Sequence, residues 1–338
     1  MGNCHERNQL DGCSTISEAD FEFKKPIGRG AFGTVWDSRH KKTNIPLALK
    51  IFIKANIPSR DTLNSILKER AILSILSHPF IINMKLAFQS TKKLFLGLDL
   101  KLGGDLRFHI TQKRFSEPEI KFILSCVIQA LEFVHSNSII HKDVKPENIV
   151  LDTNGYAFLT DFGTSELFKA DNGFQTSGTP GYMAPEVICR RNHSFVSDFF
   201  SLGVILYEVI TGTRPYVGKS RQEIREGIMN AQVSIDKENI PQGWSQESVD
   251  ICNSLLKRKP ISRLGAGGIH EIKEHPWFAD LDSEKLKKFE LKAPFVPLPG
   301  DNYDKVHMNS VVKRRVNKLK IENKSFAGYF FKPLLQTC

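Results

Sequence analysis

Residues 139–163, IIHKDVKPENIVLDTNGYAFLTDFG, constrain the fold more than any other stretch. Two short apolar runs, Ile149-Val150-Leu151 and Phe158-Leu159, flank Asn154-Gly155. Asn-Gly between such runs is the strongest short-range hairpin signal, because both central residues tolerate positive φ. A two-residue turn there sets 153 opposite 156, 150 opposite 159 and Asn148 opposite Asp161. A carboxamide and a carboxylate are then expected side by side at the open end. Asp143, Lys145 and Glu147 stand in the loop that feeds the first strand. Hard oxygen donors beside a lysine and a free carboxylate suit Mg²⁺ and a phosphoryl group. A surface hairpin carrying ordinary polar residues satisfies the same local pattern, so the rest of the chain must decide.

With 338 residues, 41% of them hydrophobic, the chain can bury a large core as one big domain or two lobes. Its 47 Lys plus Arg against 37 Asp plus Glu give a formal charge of +10. That excess favours an anionic partner (nucleotide, acidic membrane or nucleic acid) and equally fits a mildly basic soluble protein. Cysteines 4, 13, 126, 189, 252 and 338 lack CxxC pairs and histidines at zinc spacing, and read as free thiols in a reducing compartment. The longest apolar stretch, residues 199–210, is interrupted by Ser201, Gly203 and Glu208 and is too short to span a bilayer. No signal peptide precedes it, and a cytoplasmic location is expected.

Residues 1–20 are polar and aperiodic, a tail by this reading. Gly2 offers an N-myristoylation acceptor, although Glu6 stands where that motif wants Ser or Thr, and Cys4 offers a palmitoyl acceptor. An ordinary unstructured N-terminus fits too. Residues 21–52 read as three strands, the first turn being Ile27-Gly28-Arg29-Gly30-Ala31-Phe32-Gly33-Thr34-Val35. Glycines let backbone N–H groups approach phosphate oxygens closely. Val35-Trp36 continues as a strand, whereas a dinucleotide-binding fingerprint opens a helix. Lys50, inside the apolar run Leu47-Ala48-Leu49-Lys50-Ile51-Phe52, needs a fixed anion unless it snorkels at a sheet edge. Residues 61–77 read as a helix in which Glu69 interrupts the stripe of Ile66, Leu73 and Leu76. Lys50 is the obvious partner for that carboxylate, with a peripheral Glu69 as the alternative.

Residues 94–100 read as a further strand, and Gly103-Gly104 marks the seam between a strand-rich lobe and a helical one. Ser116-Glu117-Pro118-Glu119 is a capping box opening a core helix. Residues 164–178 are polar and aperiodic, which predicts a mobile loop, and an apolar helix runs from Asp198 to Ile210. The helical lobe closes at Pro276-Trp277-Phe278. Residues 311–321, VVKRRVNKLKI, can form a basic amphipathic helix with Val312, Val316 and Leu319 on one side, suited to an acidic membrane. A solvated face or an unstructured segment fits as well.

Taken together, these spaced motifs resemble the eukaryotic protein kinases over residues 21–338. The resemblance implies an α+β, bilobal protein-kinase fold: a small β-rich N-lobe with one main helix (21–100), a mainly helical C-lobe (101–278) and a C-terminal tail (279–338). It implies ATP and Mg²⁺ as cofactors and Ser/Thr hydroxyls of proteins as acceptors. The Gly-rich loop over the nucleotide would be Gly28, Arg29, Gly30, Ala31, Phe32, Gly33 and Val35. Lys50 would pair with the phosphates and with Glu69. Val35, Ala48 and Val150 would sandwich the adenine, with backbone hydrogen bonds from the Asp99-Leu100-Lys101 linker; Asp105 and Glu147 are further nucleotide-contacting candidates. Asp143 would orient the acceptor hydroxyl, Lys145 and Thr179 would contact the transferring group and acceptor, and Asn148 and Asp161 would hold Mg²⁺. Glu186 would pair with Arg263 as a brace.

Within the kinases, His78-Pro79-Phe80, Gly103-Gly104-Asp105, Ala293-Pro294-Phe295-Val296-Pro297 and Phe326-Ala327-Gly328-Tyr329-Phe330-Phe331 resemble the AGC group. The last of these is similar to the hydrophobic motif, which docks an aromatic pair onto the small lobe. Residues 98–109 and the Gly2 start are most similar to the YANK subgroup. Asp105, Glu147 and Glu208 match positions where basophilic members place acids, implying Arg or Lys before the target residue. Three departures stand out. Lys142 replaces the usual Arg, Gln175 occupies the usual phosphothreonine site beside Thr176 and Ser177, and Phe330 occupies the phosphorylatable tail position. Activity is therefore expected to depend less on phosphorylation than is common in the group. Two rivals are a nucleotide-binding pseudokinase scaffold and nucleic-acid binding through residues 313–320. The basic run lacks interleaved aromatics, which counts against the second.

Overall fold

The computed structural model describes residues 16–29, 33–173, 177–300, 326 and 329–331. Strands β1 (Phe21–Arg29), β2 (Gly33–His40) and β3 (Pro46–Ile53) form an antiparallel meander, the three strands expected of residues 21–52. Helix α1 (Arg60–Ile75) follows. Its first turn is capped by Ser59, which accepts from the Thr62 amide, and it buries Leu63, Ile66, Glu69, Ile72 and Leu73 along one stripe. Strands β4 (Met84–Gln89) and β5 (Lys93–Leu98) complete a five-stranded sheet of order β1-β2-β3-β5-β4. The β3–β5 register sets Lys50 opposite Leu96, on a strand flanked by neighbours on both edges.

The second lobe is mainly helical. It comprises α2 (Leu106–Gln112), α3 (Glu117–Ser136), the short strands β6 (Ile139–Ile140), β7 (Ile149–Leu151), β8 (Ala157–Leu159) and β9 (Glu166–Leu167), then α4 (Pro185–Ile188), α5 (Val196–Thr211), α6 (Arg221–Asn230), α7 (Gln246–Leu255), α8 (His270–Lys273) and α9 (Ser283–Lys287). The capping box at Ser116 and Glu119 forms as read. Helix α5 is buried almost all round, which is why its sequence is so apolar. One apolar core runs through both lobes, and Ile81 and Ile82 tie onto Leu159 by a bridge and an amide bond of 3.0 Å. No helix among the described residues is long and apolar enough to cross a membrane.

The hairpin forms with a different register. Ile149 faces Leu159 and Leu151 faces Ala157, so each pair is one residue off the two-residue-turn expectation. Asp152 closes the loop instead: its side chain accepts from the amides of Asn154 and Tyr156, and its own amide donates to Tyr156 O. Only Gly155, at φ +89°, takes the left-handed conformation, giving a three-residue loop. A Cβ on Gly155 would also collide with the Phe295 carbonyl, so the close approach of residues 293–295 requires glycine. Asn148 consequently pairs with Thr160 through its carbonyl, and Asp161 lies one residue beyond.

One further stretch differs from expectation. Part of the 164–178 stretch is ordered by pairing, since Glu166 and Leu167 form β9 against β6. Residues 286–293 pack on the helical lobe. Leu286 and Ala293 are buried, and Tyr156 donates to Leu291 O at 2.6 Å. The four described tail residues lie on the first lobe. Phe331 bridges Ala87 at the free edge of β4, Arg70 donates to Phe330 O at 2.7 Å, and Phe326 and Tyr329 are 0% and 1% exposed.

Candidate active site

Lys50 and Glu69 meet as the stripe of α1 anticipates: Lys50 Nζ lies 2.6 Å from Glu69 Oε1. Glu69 is 3% exposed, so the pair satisfies a carboxylate that burial would otherwise penalise heavily. The same ammonium reaches across to Asp161 Oδ1 at 3.4 Å. Desolvation works against the charge on Lys50, but the fields of Glu69 and Asp161 outweigh it and hold its pKa above the ordinary lysine value. Lys50 in turn holds the Asp161 carboxyl below the usual carboxylate range, with burial opposing. Asp161 sits in a left-handed turn, φ 62° and ψ 79°, just past the hairpin, and its side chain remains 46% exposed towards the cleft. A base on one lobe and an acid on the other therefore converge with both charges in place.

Opposite them, Asp143 organises a second group. Lys145 Nζ donates to Asp143 Oδ2 at 2.6 Å and to Thr179 Oγ1 at 2.7 Å. The Thr179 amide and hydroxyl both donate to Asp143 Oδ1, each at 2.8 Å. Asn148 Nδ2 donates to Asp143 O at 2.8 Å and to Asp143 Oδ2 at 3.1 Å, which turns its oxygen away from Asp143. The loop is held from below by Asp198. This fully buried carboxylate accepts from the amides of His141 and Lys142 at 2.9 and 2.8 Å and bonds His135 Nε2 at 2.9 Å. Burial pushes the Asp198 pKa up, but these partners outweigh it and the carboxyl stays low.

The protein kinase domain model matches residues 21–278. The chain belongs to the protein kinase family. Protein kinase 2 of Dictyostelium discoideum is 39% identical over 285 residues, which cover 84% of this chain and 58% of that protein. Human ribosomal protein S6 kinase alpha-2 is 39% identical over 307 residues, covering 88% and 41%. A probable serine/threonine-protein kinase of D. discoideum is 37% identical over 287 residues, covering 84% and 62%. The chain thus spans between about two fifths and three fifths of the length of these curated relatives.

In this kinase the remaining candidates fall around the cleft. Gly28 and Arg29 end β1 and Gly33 and Val35 open β2, while Gly30, Ala31 and Phe32 lie outside the described residues. Val35 faces Lys50 across the β2–β3 ladder, and Ala48 stands two residues before Lys50 on the same side of β3. Val150 on β7 is bridged to Asp105. Asp99 is engaged by Lys85 at 2.9 Å and by Asn83, and the Lys101 ammonium lies 3.6 Å from the Phe158 ring centroid. Both side chains are committed away from the linker, leaving its backbone as the group that can meet a base. Asp105 caps α2 by accepting from the Phe108 amide at 2.8 Å, and burial pushes its pKa up to about 6. Glu147 accepts from Arg107 at 3.0 Å.

The residue types suit a hard divalent cation: Asp161 would supply a carboxylate and Asn148 a carboxamide oxygen, and no cluster of three or more His, Cys, Asp or Glu able to hold a metal occurs among the described residues. Such a pair holds Mg²⁺ together with phosphate oxygens, not as an all-protein cage. Glu186 and Arg263 pair bidentately at 2.7 and 2.9 Å, as expected. Sequence reasoning missed Asp198 and Arg107. An acid opening an apolar helix was the signal for the first; a lone arginine among acids carried no signal for the second.

Proposed function

We propose that this chain is a protein serine/threonine kinase of the AGC group, transferring the γ-phosphoryl of ATP to protein hydroxyls. The observation that carries the reading is the convergence of Lys50 and Glu69 from the strand-rich lobe with Asp161 from the helical one, facing the Asp143–Lys145–Thr179 network. Asp161 and Asn148 would hold Mg²⁺, which when bound would supply charge neutralisation at the transferring group. Lys50 is the cation for the nucleotide phosphates, and Glu69 fixes its position. Asp143 accepts a hydrogen bond from the acceptor hydroxyl and aims its oxygen at the phosphorus. Thr179 occupies Asp143 Oδ1 here, so an acceptor must share that carboxylate. Lys145 neutralises the developing charge beside it.

The intact set of charged groups favours turnover over a pseudokinase scaffold. Placement in the YANK subgroup rests on residues 98–109, and membrane association rests on Gly2, Cys4 and residues 311–321, which lie outside the described residues. The experiment is transfer of labelled phosphate from ATP to a generic Ser/Thr substrate, comparing the natural chain with Asp143→Asn. Transfer that is absent in both, or equal in both, overturns the reading.

A further inference from the structure

Two of the three carboxylates that the family resemblance reads as receivers of a substrate cation, Glu147 and Glu208, are already engaged by an arginine of the same chain. Arg107, in the first turn of α2, donates through Nε to Glu147 Oε1 at 3.0 Å and through its two terminal nitrogens to Glu208 Oε1 and Oε2 at 2.9 and 3.0 Å. The Tyr182 hydroxyl donates to Glu208 Oε2 at 2.6 Å and also touches the Arg107 guanidinium. Of the charged side chains in the cluster Glu208 lies deepest, 10% exposed against 25% for Arg107 and 43% for Glu147. The cluster also borders the acceptor position. Glu147 follows Asp143 and Lys145 in one loop, and Tyr182 follows Thr179, which donates to Asp143. The cluster therefore flanks the groups that an acceptor peptide would have to reach.

We propose that Arg107 is a built-in specificity determinant. It fills the seat for a substrate guanidinium that the family resemblance assigns to Glu147 and Glu208, so at that subsite this chain accepts a neutral residue as readily as a basic one. The inference rests on the kinase reading above and deepens it. A guanidinium fork on a carboxylate is bidentate, planar and directional. A substrate arginine gains that geometry only by expelling Arg107. If Arg107 stays, the incoming cation meets a like charge at short range, which is a built-in element of discrimination. The selection of Arg or Lys implied by the bare sequence is thereby cancelled at this position, while positions elsewhere along the peptide are untouched.

The test is a set of Ser peptides that differ only by Arg or Ala at each of the four positions before the acceptor. The readout is the Arg/Ala ratio of kcat/KM within each protein, so a variant that folds less completely lowers both rates alike. The natural chain is expected to give a ratio within about threefold at the subsite in question, and Arg107→Met to raise it at least about tenfold, the scale of one freed bidentate charge pair. Arg107→Lys, which keeps the charge but not the fork, is expected to fall between. Glu208→Gln added to Arg107→Met should remove the gain. A ratio that Arg107→Met leaves unchanged, or a gain that survives Glu208→Gln, overturns the proposal. Absence of transfer to every peptide by the natural chain overturns the kinase reading first, and this inference with it.

Discussion

Glu186 and Arg263 allow the bracing of the helical lobe to be measured. Arg263 is 1% exposed and pairs with both Glu186 oxygens, at 2.7 and 2.9 Å. It also donates to Val196 O at 2.8 Å and Lys257 O at 2.9 Å, which ties the start of α5 to the loop after α7. Arg263→Leu retains part of the stem but leaves the Glu186 carboxylate buried without its cation. Breaking a buried pair on one side costs about 3–5 kcal/mol, because the remaining charge keeps its desolvation penalty and loses its compensation. With about 2.1 cal/mol/K of unfolding entropy per residue, a 338-residue chain has about 0.7 kcal/mol/K, so Tm should fall about 4–7 °C. Adding Glu186→Leu removes the stranded charge, and the double variant should recover most of the loss. Urea unfolding of the four proteins, checked by thermal scans at one rate, gives the coupling energy. A single-variant loss under about 1 kcal/mol, typical of an unremarkable substitution, would refute the reasoning. So would a double variant whose loss is the sum of the two singles.

Asp143→Asn should lower kcat by about 10²–10⁴, since it removes the carboxylate that aligns the acceptor; Tm should fall as well, because an amide nitrogen cannot accept the bonds that one carboxylate oxygen takes from Lys145 and Asn148 or from Thr179, and single-turnover kinetics on the folded fraction checks the rate. Glu69→Gln should lower kcat/KM for ATP about ten- to a hundredfold, because Lys50 loses its charged partner at 2.6 Å and keeps only Asp161. The Asp105 pKa, raised to about 6 in the fold, means that the folded state holds a proton the unfolded chain has released, so stability falls as pH rises from the ordinary Asp value through about 6. Asp105→Asn keeps the cap on Phe108 without the titration, so its Tm advantage over the natural chain should be small near pH 4 and grow by pH 7; a flat difference would count against the burial argument. Phosphatase treatment of the purified kinase should leave most of its turnover intact, and abolished turnover would end that expectation.

The strand-rich lobe was legible because each signal there is local. The three-strand reading of residues 21–52 depends on neighbouring residues and appears in the fold, as does the capping box at Ser116 in the helical lobe. Pairing of Lys50 with Glu69 was legible for a different reason: an ionised group on each of two apolar faces leaves few ways to satisfy both. The hairpin register was not legible, because Asp152 recloses the loop through side-chain bonds that outcompete the two-residue Asn-Gly turn. Strand β9 was hidden too. A two-residue strand has no periodicity, and its partner β6 lies 26 residues earlier. Arg107 escaped notice because the acids that fix it come from two other elements, joined only by the fold.

Arg107 and Lys142 are two instances of one physical solution. Lys142 stands at φ 69° in the loop beside Asp143, with its side chain fully buried and its ammonium 2.8 Å from Glu166 Oε1. His193 Nε2 meets the same carboxylate oxygen at 3.1 Å, and the Glu166 carboxyl, disfavoured by burial, is held low by His193 and Lys142. A lysine cannot grip a phosphate with a bidentate fork, and this one is supplied with a carboxylate by β9, from the same chain. At both places a cation of the catalytic face, buried at Lys142 and half-buried at Arg107, is neutralised internally, where a transient anion or a substrate group would otherwise set its state. Such pairs are formed during folding and carry no concentration dependence, whereas a phosphate or a peptide side chain acts only when present. The expected consequence is a kinase whose catalytic loop is positioned on folding and whose selectivity at the Glu208 subsite is set by its own arginine.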